Sequence, residues 1–204
     1  MTASDPTKST QMGAGYYSRE ELLEFEWGAL GDDVQIKRNV TIPFTSNTYI
    51  GSHVRIDDFT VIVASSSEHP VRLGSRIHIA NHCHLAGSDG IVMEDFSGLS
   101  PGCMLFSGSD DYTGRRLTNP TVPREYIGGA HGTITLGRHV ILGAGTVVHP
   151  DLTIPEGCSV GSLSLVDRTL EPWGIYVGIP VRRTRDRSRD LLALEQELLG
   201  RERA

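Results

Sequence analysis

The chain has 204 residues, with 19 lysines and arginines against 25 aspartates and glutamates, and a net charge of −6. This acidic balance argues against a nucleic-acid-binding protein, which usually carries a basic face. The N-terminus has no apolar signal core, and no apolar run approaches the roughly 18–20 residues that span a bilayer. The sequence therefore predicts a cytoplasmic protein with no nucleic-acid or membrane partner.

The N-terminal residues divide into two predicted segments. Residues 1–15 are polar and predict a disordered tail. Residues 16–29 predict a capping helix, because Ser18 and Glu21 in YYSREELLEFEW have the spacing of a capping box.

From residue 30 onward an aliphatic residue recurs every six positions, and the residue four positions later is usually small or β-branched. This pattern predicts an all-β solenoid, in which the repeated side chains stack along the axis and each coil covers its neighbours. With three hexads per coil, the 18 hexads make about six coils. The repeated aliphatic residues are Leu30, Ile36, Ile42, Ile50, Ile56, Ile62, Leu73, Ile79, Leu85, Met93, Leu99, Leu105, Leu136, Leu142, Val148, Ile154, Val160 and Val166.

The six-residue period is interrupted in the hexads that begin at Ile42, Ile62, Leu85 and Leu105. These are the third, sixth, ninth and twelfth hexads, so we expect every insertion to leave the solenoid along one edge. The longest insertion is the loop 107–132, SGSDDYTGRRLTNPTVPREYIGGAHG. Long loops on a rigid scaffold are frequent carriers of function.

The stretch NHCHLAG, residues 81–87, contains the residue types of a zinc site. Cys83 nevertheless occupies the small inward position of its hexad, as do Cys103 and Cys158, and a buried cysteine behaves as a small hydrophobic residue. Its neighbours His82 and His84 are then directed outward, so the three side chains cannot chelate one ion. We expect no metal.

The C-terminal residues 187–204 predict a helix with Leu191, Leu194 and Leu198 on one face. We expect the two terminal helices to cover the open ends of the solenoid.

The hexads, together with SLSLVDRTLEPWGIYVGIPVRRTRDR at residues 162–187, resemble the hexapeptide-repeat acyltransferases. This resemblance implies a left-handed parallel β-helix over residues 30–186, with the loop 107–132 protruding. It also implies a homotrimer with active sites between subunits, and acetyl-CoA as co-substrate.

The resemblance also implies where CoA binds. Arg168 stands at the position of the family's phosphate-contacting lysine, and Arg182 and Arg185 fall where basic residues meet the nucleotide end of CoA; arginine binds phosphates well. For the arginines, the alternative is a solvated run of charge. For the glycines named next, the alternative is that they only form turns. Small residues of the late coils that would let the pantetheine arm approach the backbone are Gly143, Ala144, Gly145 and Ser162.

Within the family, the galactoside and maltose acetyltransferase branch aligns with residues 73–110 without a gap and has its catalytic histidine where this chain has Asp110. A carboxylate with an ordinary pKa of about 3.9 is a poor base for an alcohol, but it can orient an amine. We therefore expect N-acetylation of an amino sugar, with Asp110 catalytic and His84 assisting it. The alternative is that Asp110 and Asp111 only cap a turn.

The string SDDYTGRRLTNPTVP and the segment EPWGIY resemble nucleotide-sugar acyltransferases of the dTDP-4-amino-4,6-dideoxyglucose acetyltransferase type. The expected substrate-binding residues are Asp111, Tyr112, His78 and Asp89, with Tyr112 stacking on a sugar or base. His131, at the exit of the long loop, is a further candidate.

Three other functions remain open from the sequence. One is a sugar O-acetyltransferase of the galactoside or maltose type. Another is a zinc enzyme like the γ-carbonic anhydrases, which would draw its ligands from His53, His78, His82 and His84. The third is a non-catalytic trimeric scaffold.

Overall fold

The computed structural model describes residues 13–202 and shows a left-handed parallel β-helix. Three sheets of six, eight and five strands form the faces of a triangular prism. We name them the first, second and third faces in the order in which each coil passes through them. The first corner joins the first and second faces, the second corner joins the second and third, and the third corner leads to the next coil.

The helices are α1 (Arg19–Leu23) and α2 (Leu191–Glu202), and short 3-10 turns span Thr45–Asn47 and Arg124–Tyr126. In chain order the strands are β1 (Ala29–Leu30), β2 (Gln35–Ile36), β3 (Thr48–Ile50), β4 (Arg55–Ile56), β5 (Val61–Val63), β6 (Val71–Leu73), β7 (His78–Ile79), β8 (His84–Ala86), β9 (Ile91–Met93), β10 (Gly98–Leu99), β11 (Met104–Phe106), β12 (Ile134–Leu136), β13 (Ile141–Leu142), β14 (Val147–Val148), β15 (Leu152–Ile154), β16 (Ser159–Val160), β17 (Leu165–Val166), β18 (Gly174–Gly178) and β19 (Val181–Asp186).

The strand register stacks equivalent hexads directly on one another. On the first face Leu73 pairs with Met93, and on the second face Ile79 pairs with Leu99. Sixteen of the 18 repeated aliphatic residues are buried. The other two, Leu30 and Ile42, lie in the first coil and are partly exposed. The predicted solenoid of six coils is confirmed.

The three cysteines occupy inward positions of the solenoid, which explains their burial. Cys83, Cys103 and Cys158 are each at most 1% exposed, and all three are free thiols. Burial raises the pKa of the Cys158 thiol, which keeps that group neutral and unreactive. His82 instead lies on the surface, stacked on the ring of Phe59 at 5.0 Å between ring centroids. The predicted inward direction of Cys83 and outward direction of His82 are confirmed.

All insertions leave the prism at the third corner. The strands β5, β8 and β11 of the third face are each followed by an irregular segment, and the bridge from Thr41 to Val61 places the first insertion in the same position. The arithmetic of three hexads per coil therefore predicted this edge correctly. It gathers the loops 64–70, 87–90 and 107–133 on one side of the protein.

The N-terminal helix is shorter than the predicted segment 16–29. It ends at Leu23 after five residues, with the Ser18–Glu21 capping box in place. Leu22 is buried at the N-terminal end of the core, and the Trp27 indole N–H donates to the Leu22 carbonyl. The predicted disordered tail, 1–15, lies mainly outside the described residues; Gly15 accepts a backbone hydrogen bond from Arg38.

The C-terminal helix begins at Leu191 and does not cover an open end. It runs along the first corner, where Glu195 accepts from Arg138 and contacts His139 Nε2 at 2.7 Å, while Glu202 pairs with Arg76. Arg138 and His139 belong to the fifth coil and Arg76 to the third, so α2 crosses the coils from the side. The expectation of an end cap was wrong because ionic contacts hold this helix. Within residues 13–202, neither helix is long and apolar enough to cross a membrane.

Candidate active site

The long loop leaves and re-enters the solenoid through a narrow neck. Gly108 and His131 form an antiparallel bridge, Ser109 N–H donates to the Ala130 carbonyl at 2.8 Å, and Gly132 N–H donates to Ser107 at 2.9 Å. This neck forms because the insertion leaves one coil of the prism and enters the next coil at the same corner. Residues at the two ends of the loop are therefore brought side by side.

The two aspartates that begin the loop differ in their surroundings. Asp111 accepts four hydrogen bonds, from Thr113 N–H and Oγ1–H on one oxygen and from the N–H groups of Arg115 and Arg116 on the other. These bonds hold the pKa of Asp111 below its usual range and use its accepting capacity. Asp110 Oδ1 accepts one backbone N–H, from Asn119 at 3.2 Å, and Oδ2 has no partner among the described residues.

The structure thus separates the roles of the pair. Asp111 organises the loop, and its binding of substrate stays a prediction, whereas Asp110 presents an exposed carboxylate oxygen beside the neck. The side chain of Tyr112, next in sequence, is 92% exposed and free to meet a ligand.

Asp89 lies at the base of the neck. Its Oδ2 contacts His131 Nδ1 at 3.1 Å and accepts from Ser88 Oγ at 2.8 Å, and its backbone N–H donates to Ser107 Oγ. Gly108 makes room for this cluster, because a Cβ there would lie 2.9 Å from Asp89 Oδ2 and 3.0 Å from His131 Nδ1.

The charge state of Asp89 follows from two opposing effects. Burial disfavours the carboxylate, but the hydrogen bonds of His131 and Ser88 outweigh burial and hold the pKa of Asp89 below its usual range. Asp89 is therefore an anion near neutral pH. Its link to His131 was not predicted, although both residues flank insertions at one corner.

The histidines proposed for a zinc site are spread around the prism. His53 lies at the first corner and pairs with Asp33, His78 lies on the second face, His82 lies at the second corner, and His84 lies on the third face. Among the described residues no three side chains of His, Cys, Asp or Glu converge as metal ligands. His84 lies against Phe106, two residues before Gly108, and so faces the same side as the neck.

His78 is not brought near the neck within one chain. It lies on the outer side of the second face, where its Nε2 contacts Asp57 Oδ2 at 2.8 Å and Arg55 binds the same carboxylate. Burial disfavours ionisation of Asp57, but Arg55 and His78 outweigh it and hold the pKa of Asp57 below its usual range. Within a single protomer, Arg55, Asp57 and His78 therefore form a charged network on the protein surface.

Replacing Asp57 with asparagine is expected to lower stability at pH 7 by up to about 1 kcal/mol, as for a partly exposed ion pair. Because the folded pKa lies below the unfolded one, this contribution is present above the unfolded pKa and is lost as the pH falls through the folded pKa. Urea denaturation of both proteins between pH 7 and pH 2.5 measures it. A stability difference that stays constant as the pH falls would contradict the assignment.

The predicted pantetheine residues come together at the second corner. Gly143, Ala144 and Gly145 form the turn of the fifth coil, and Ser162 lies on the next turn, where Leu163 N–H donates to the Ala144 carbonyl. A Cβ at Gly143 would lie 2.5 Å from Ser162 N, so only glycine allows this close stacking. The result is a strip of closely stacked backbone, flanked by the exposed side chain of Leu163.

The three predicted arginines are distributed around the last coil. Arg182 lies on β19 opposite Val177, beside the second corner, and Arg185 lies opposite Ile175, farther along the same strand. Arg168 follows the third-face strand β17 and is paired with Asp167 at 2.8 Å. Arg168 and, more weakly, Arg182 lower the pKa of Asp167, so these two guanidinium groups lie near one carboxylate.

The chain is 34% identical over 180 residues to dTDP-4-amino-4,6-dideoxy-D-glucose acyltransferase of Escherichia coli, which covers 88% of this chain and 93% of that protein. The chain belongs to this acyltransferase family. It is thus an enzyme that transfers an acyl group, and the resemblance to hexapeptide-repeat acyltransferases is confirmed. A search of family models finds no match.

Solved structures agree with membership of the dTDP-4-amino-4,6-dideoxyglucose acyltransferases. AntD, an N-acyltransferase from Bacillus cereus in complex with dTDP and 3-hydroxybutyryl-CoA, is 36% identical, covers 95% of this chain and all of its own, and superposes with a TM-score of 0.89. A maltose O-acetyltransferase from Clostridium difficile, 15% identical with a TM-score of 0.54 over 84% of this chain and 75% of its own, shares the fold.

Proposed function

We propose that the enzyme transfers an acetyl group from acetyl-CoA to the amino group of a nucleotide-linked amino sugar, with dTDP-4-amino-4,6-dideoxyglucose as the leading acceptor. Relatives at 34% and 36% identity support this proposal, because one is named for that acceptor and AntD has been crystallised with it and with CoA. The observation that carries it in this chain is the exposed carboxylate of Asp110 beside the neck.

Asp110 acts by binding the acceptor amine. A charge-assisted hydrogen bond from the amine to Oδ2 orients the nitrogen towards the thioester. AntD has been studied with one aspartate replaced and with a serine ten residues earlier replaced. In this chain Ser100 and Asp110 are the only serine and aspartate with that spacing, which supports Asp110 as the matching residue.

Ser100 adds a residue to the proposed site. Its N–H donates to the Leu142 carbonyl at 2.9 Å, which places it next to Gly143 on the strip of the second corner. We propose that the pantetheine arm lies along this strip, over Gly143, Ala144, Gly145 and Ser162. Arg182 binds phosphate at its end, and Arg168 and Arg185 supply further positive charge.

The arrangement also supports a homotrimer. Ser100 and the CoA strip lie at the second corner, whereas Asp110 lies beyond the third corner of the same chain. The third face separates them, so a site that uses both groups combines the second corner of one protomer with the long loop of another. We propose three such sites per trimer, with Tyr112, Asp89 and His84 on the loop side and His78 contributed from a neighbouring second face.

We place the reaction in the cytoplasm, where acyl-CoA and nucleotide sugars are made. The three free, buried cysteines are compatible with a reducing compartment.

The test is thiol release from acetyl-CoA and from 3-hydroxybutyryl-CoA with three kinds of acceptor. These are dTDP-4-amino-4,6-dideoxyglucose, the matched dTDP sugar with a hydroxyl in place of the amine, and a free galactoside. Turnover restricted to the amino sugar is the expected result. Turnover of the hydroxyl sugars would favour O-acetylation instead, and no turnover with any acceptor would favour the scaffold. The donor with the higher kcat/KM identifies the acyl chain.

A further inference from the structure

We propose that His131 accepts the proton released by the acceptor amine, and that Asp89 positions its imidazole. This inference rests on the proposed N-acyl transfer and assigns the proton-transfer step to a residue that lies 42 positions from its partner. It leaves Asp110 the separate task of orienting the amine.

The geometry of the neck fixes the His131 ring. Nδ1 contacts Asp89 Oδ2 at 3.1 Å, and Asp89 is itself fixed by Ser88 Oγ and by the Ser107 hydroxyl at its backbone N–H. A carboxylate on Nδ1 selects the tautomer with the proton on that nitrogen and leaves Nε2 as the acceptor. Nε2 has no partner among the described residues, and the side chain is 59% exposed.

The neck also places His131 near Asp110. His131 bridges to Gly108, and Asp110 follows Gly108 by two residues, so an extended chain directs both positions to one side. Diagonal neighbours of this kind are roughly 7–8 Å apart. An amine bound to Asp110 Oδ2 therefore lies between the carboxylate and the imidazole, within reach of Nε2. The absence of a side chain at Gly108 lets the Asp89–His131 pair lie against the neck, since a Cβ there would come within about 3 Å of both.

The chemistry needs a base of this type. When the neutral amine attacks the thioester carbonyl, the C–N bond forms and the nitrogen acquires a positive charge, which it loses as a proton to His131 Nε2. The C–S bond then breaks, and the imidazolium returns the proton to the departing thiolate, which leaves as the thiol of CoA. Imidazole carries protons in both directions near neutral pH, and a positioned base of this kind contributes about 10²–10⁴-fold.

Other titratable groups surround this ring. Asp89 is bonded to it, His69 of the loop 64–70 acts on Asp89 electrostatically, and Asp151 lies against Gly132 on the next coil. Asp110 completes the set. A change in the pH–rate profile is therefore assigned to His131 only by comparing variants.

The experiment compares the wild type with His131→Asn, whose amide can keep the hydrogen bond to Asp89 while removing Nε2. We expect kcat to fall by about 100-fold or more, with the KM for both substrates changed little and the thermal midpoint preserved. The limb of the kcat–pH profile that depends on a deprotonated base should be lost. Added imidazole should restore part of kcat to His131→Ala, which a purely structural role would not allow.

His53→Asn is the matched control, because His53 Nδ1 contacts Asp33 Oδ2 at 3.0 Å in a similar pair at the first corner. Its kcat should equal that of the wild type. If His131→Asn retains kcat and the pH limb while the wild type turns over the amino sugar, His131 is not the base. The inference then fails and the proposed function stands. If the wild type turns over no acceptor, the proposed function itself fails.

Discussion

Replacing Asp110 with asparagine is expected to lower kcat/KM for the nucleotide-linked amino sugar by on the order of 100-fold, with the KM for acetyl-CoA unchanged. Hydrogen bonds to a charged group contribute about 1.5–3 kcal/mol, and the amine also loses its orientation towards the thioester. Initial rates of thiol release at varied acceptor and fixed, saturating acetyl-CoA measure the effect.

Glu125→Gln is the matched control for Asp110→Asn. Glu125 lies in the same loop, on its short 3-10 turn, and its carboxylate has no partner among residues 13–202. The control removes the same charge and should leave kcat/KM near the wild-type value. Equal activity of Asp110→Asn and the wild type on the amino sugar would contradict the role of Asp110, and equal losses in both variants would reduce it to a general effect of loop charge.

Replacing Arg182 with alanine is expected to raise the KM for acetyl-CoA by about 10- to 150-fold with little change in kcat. The loss of one charge-assisted contact to a phosphate costs about 1.5–3 kcal/mol, and each 1.4 kcal/mol corresponds to a factor of ten. Because the contact lies at the nucleotide end of CoA, it acts on binding rather than on the thioester. Saturation kinetics in acetyl-CoA test this.

Arg183→Ala is the control, since Arg183 is adjacent on β19 but is bound to Asp186 at 2.8 Å and to the Tyr176 hydroxyl. Its KM should change little. Dephospho-CoA carrying an acetyl group adds a further comparison, because the effect of Arg182→Ala should shrink with that donor if the arginine binds the 3′-phosphate. A KM equal to that of the wild type in Arg182→Ala would place the nucleotide elsewhere.

The architecture could be predicted from the sequence because its determinants are local and periodic. Each hexad carries its own inward residue, so the number of coils and the common edge of the insertions follow from counting along the chain. The slot that holds Cys103 could be identified for the same reason. The short helix α1 was recognised by its capping box, but its early end at Leu23 was not.

The features that escaped prediction depend on contacts between distant residues. Nothing near Glu195 in the sequence indicates that it meets His139, and nothing near Asp89 indicates His131. The difference between Asp110 and Asp111 was accessible in part, because Thr113 follows Asp111 by two residues, a spacing at which an aspartate bonds to its own turn. A carboxylate saturated in this way has little left for a ligand.

The helix α2 also fixes the number of coils between its two ionic contacts with the solenoid. Glu195 and Glu202 are seven residues apart, which corresponds to about 10.5 Å along an α-helix. Their partners lie two coils apart, which is roughly 9.6 Å at the usual spacing of β-strands. Duplication of a coil is the simplest way for a repeat protein to lengthen, but an added coil between the third and the fifth would move one partner out of reach by about 5 Å. This part of the chain is therefore held to a fixed number of repeats, whereas coils before the third are free of that constraint.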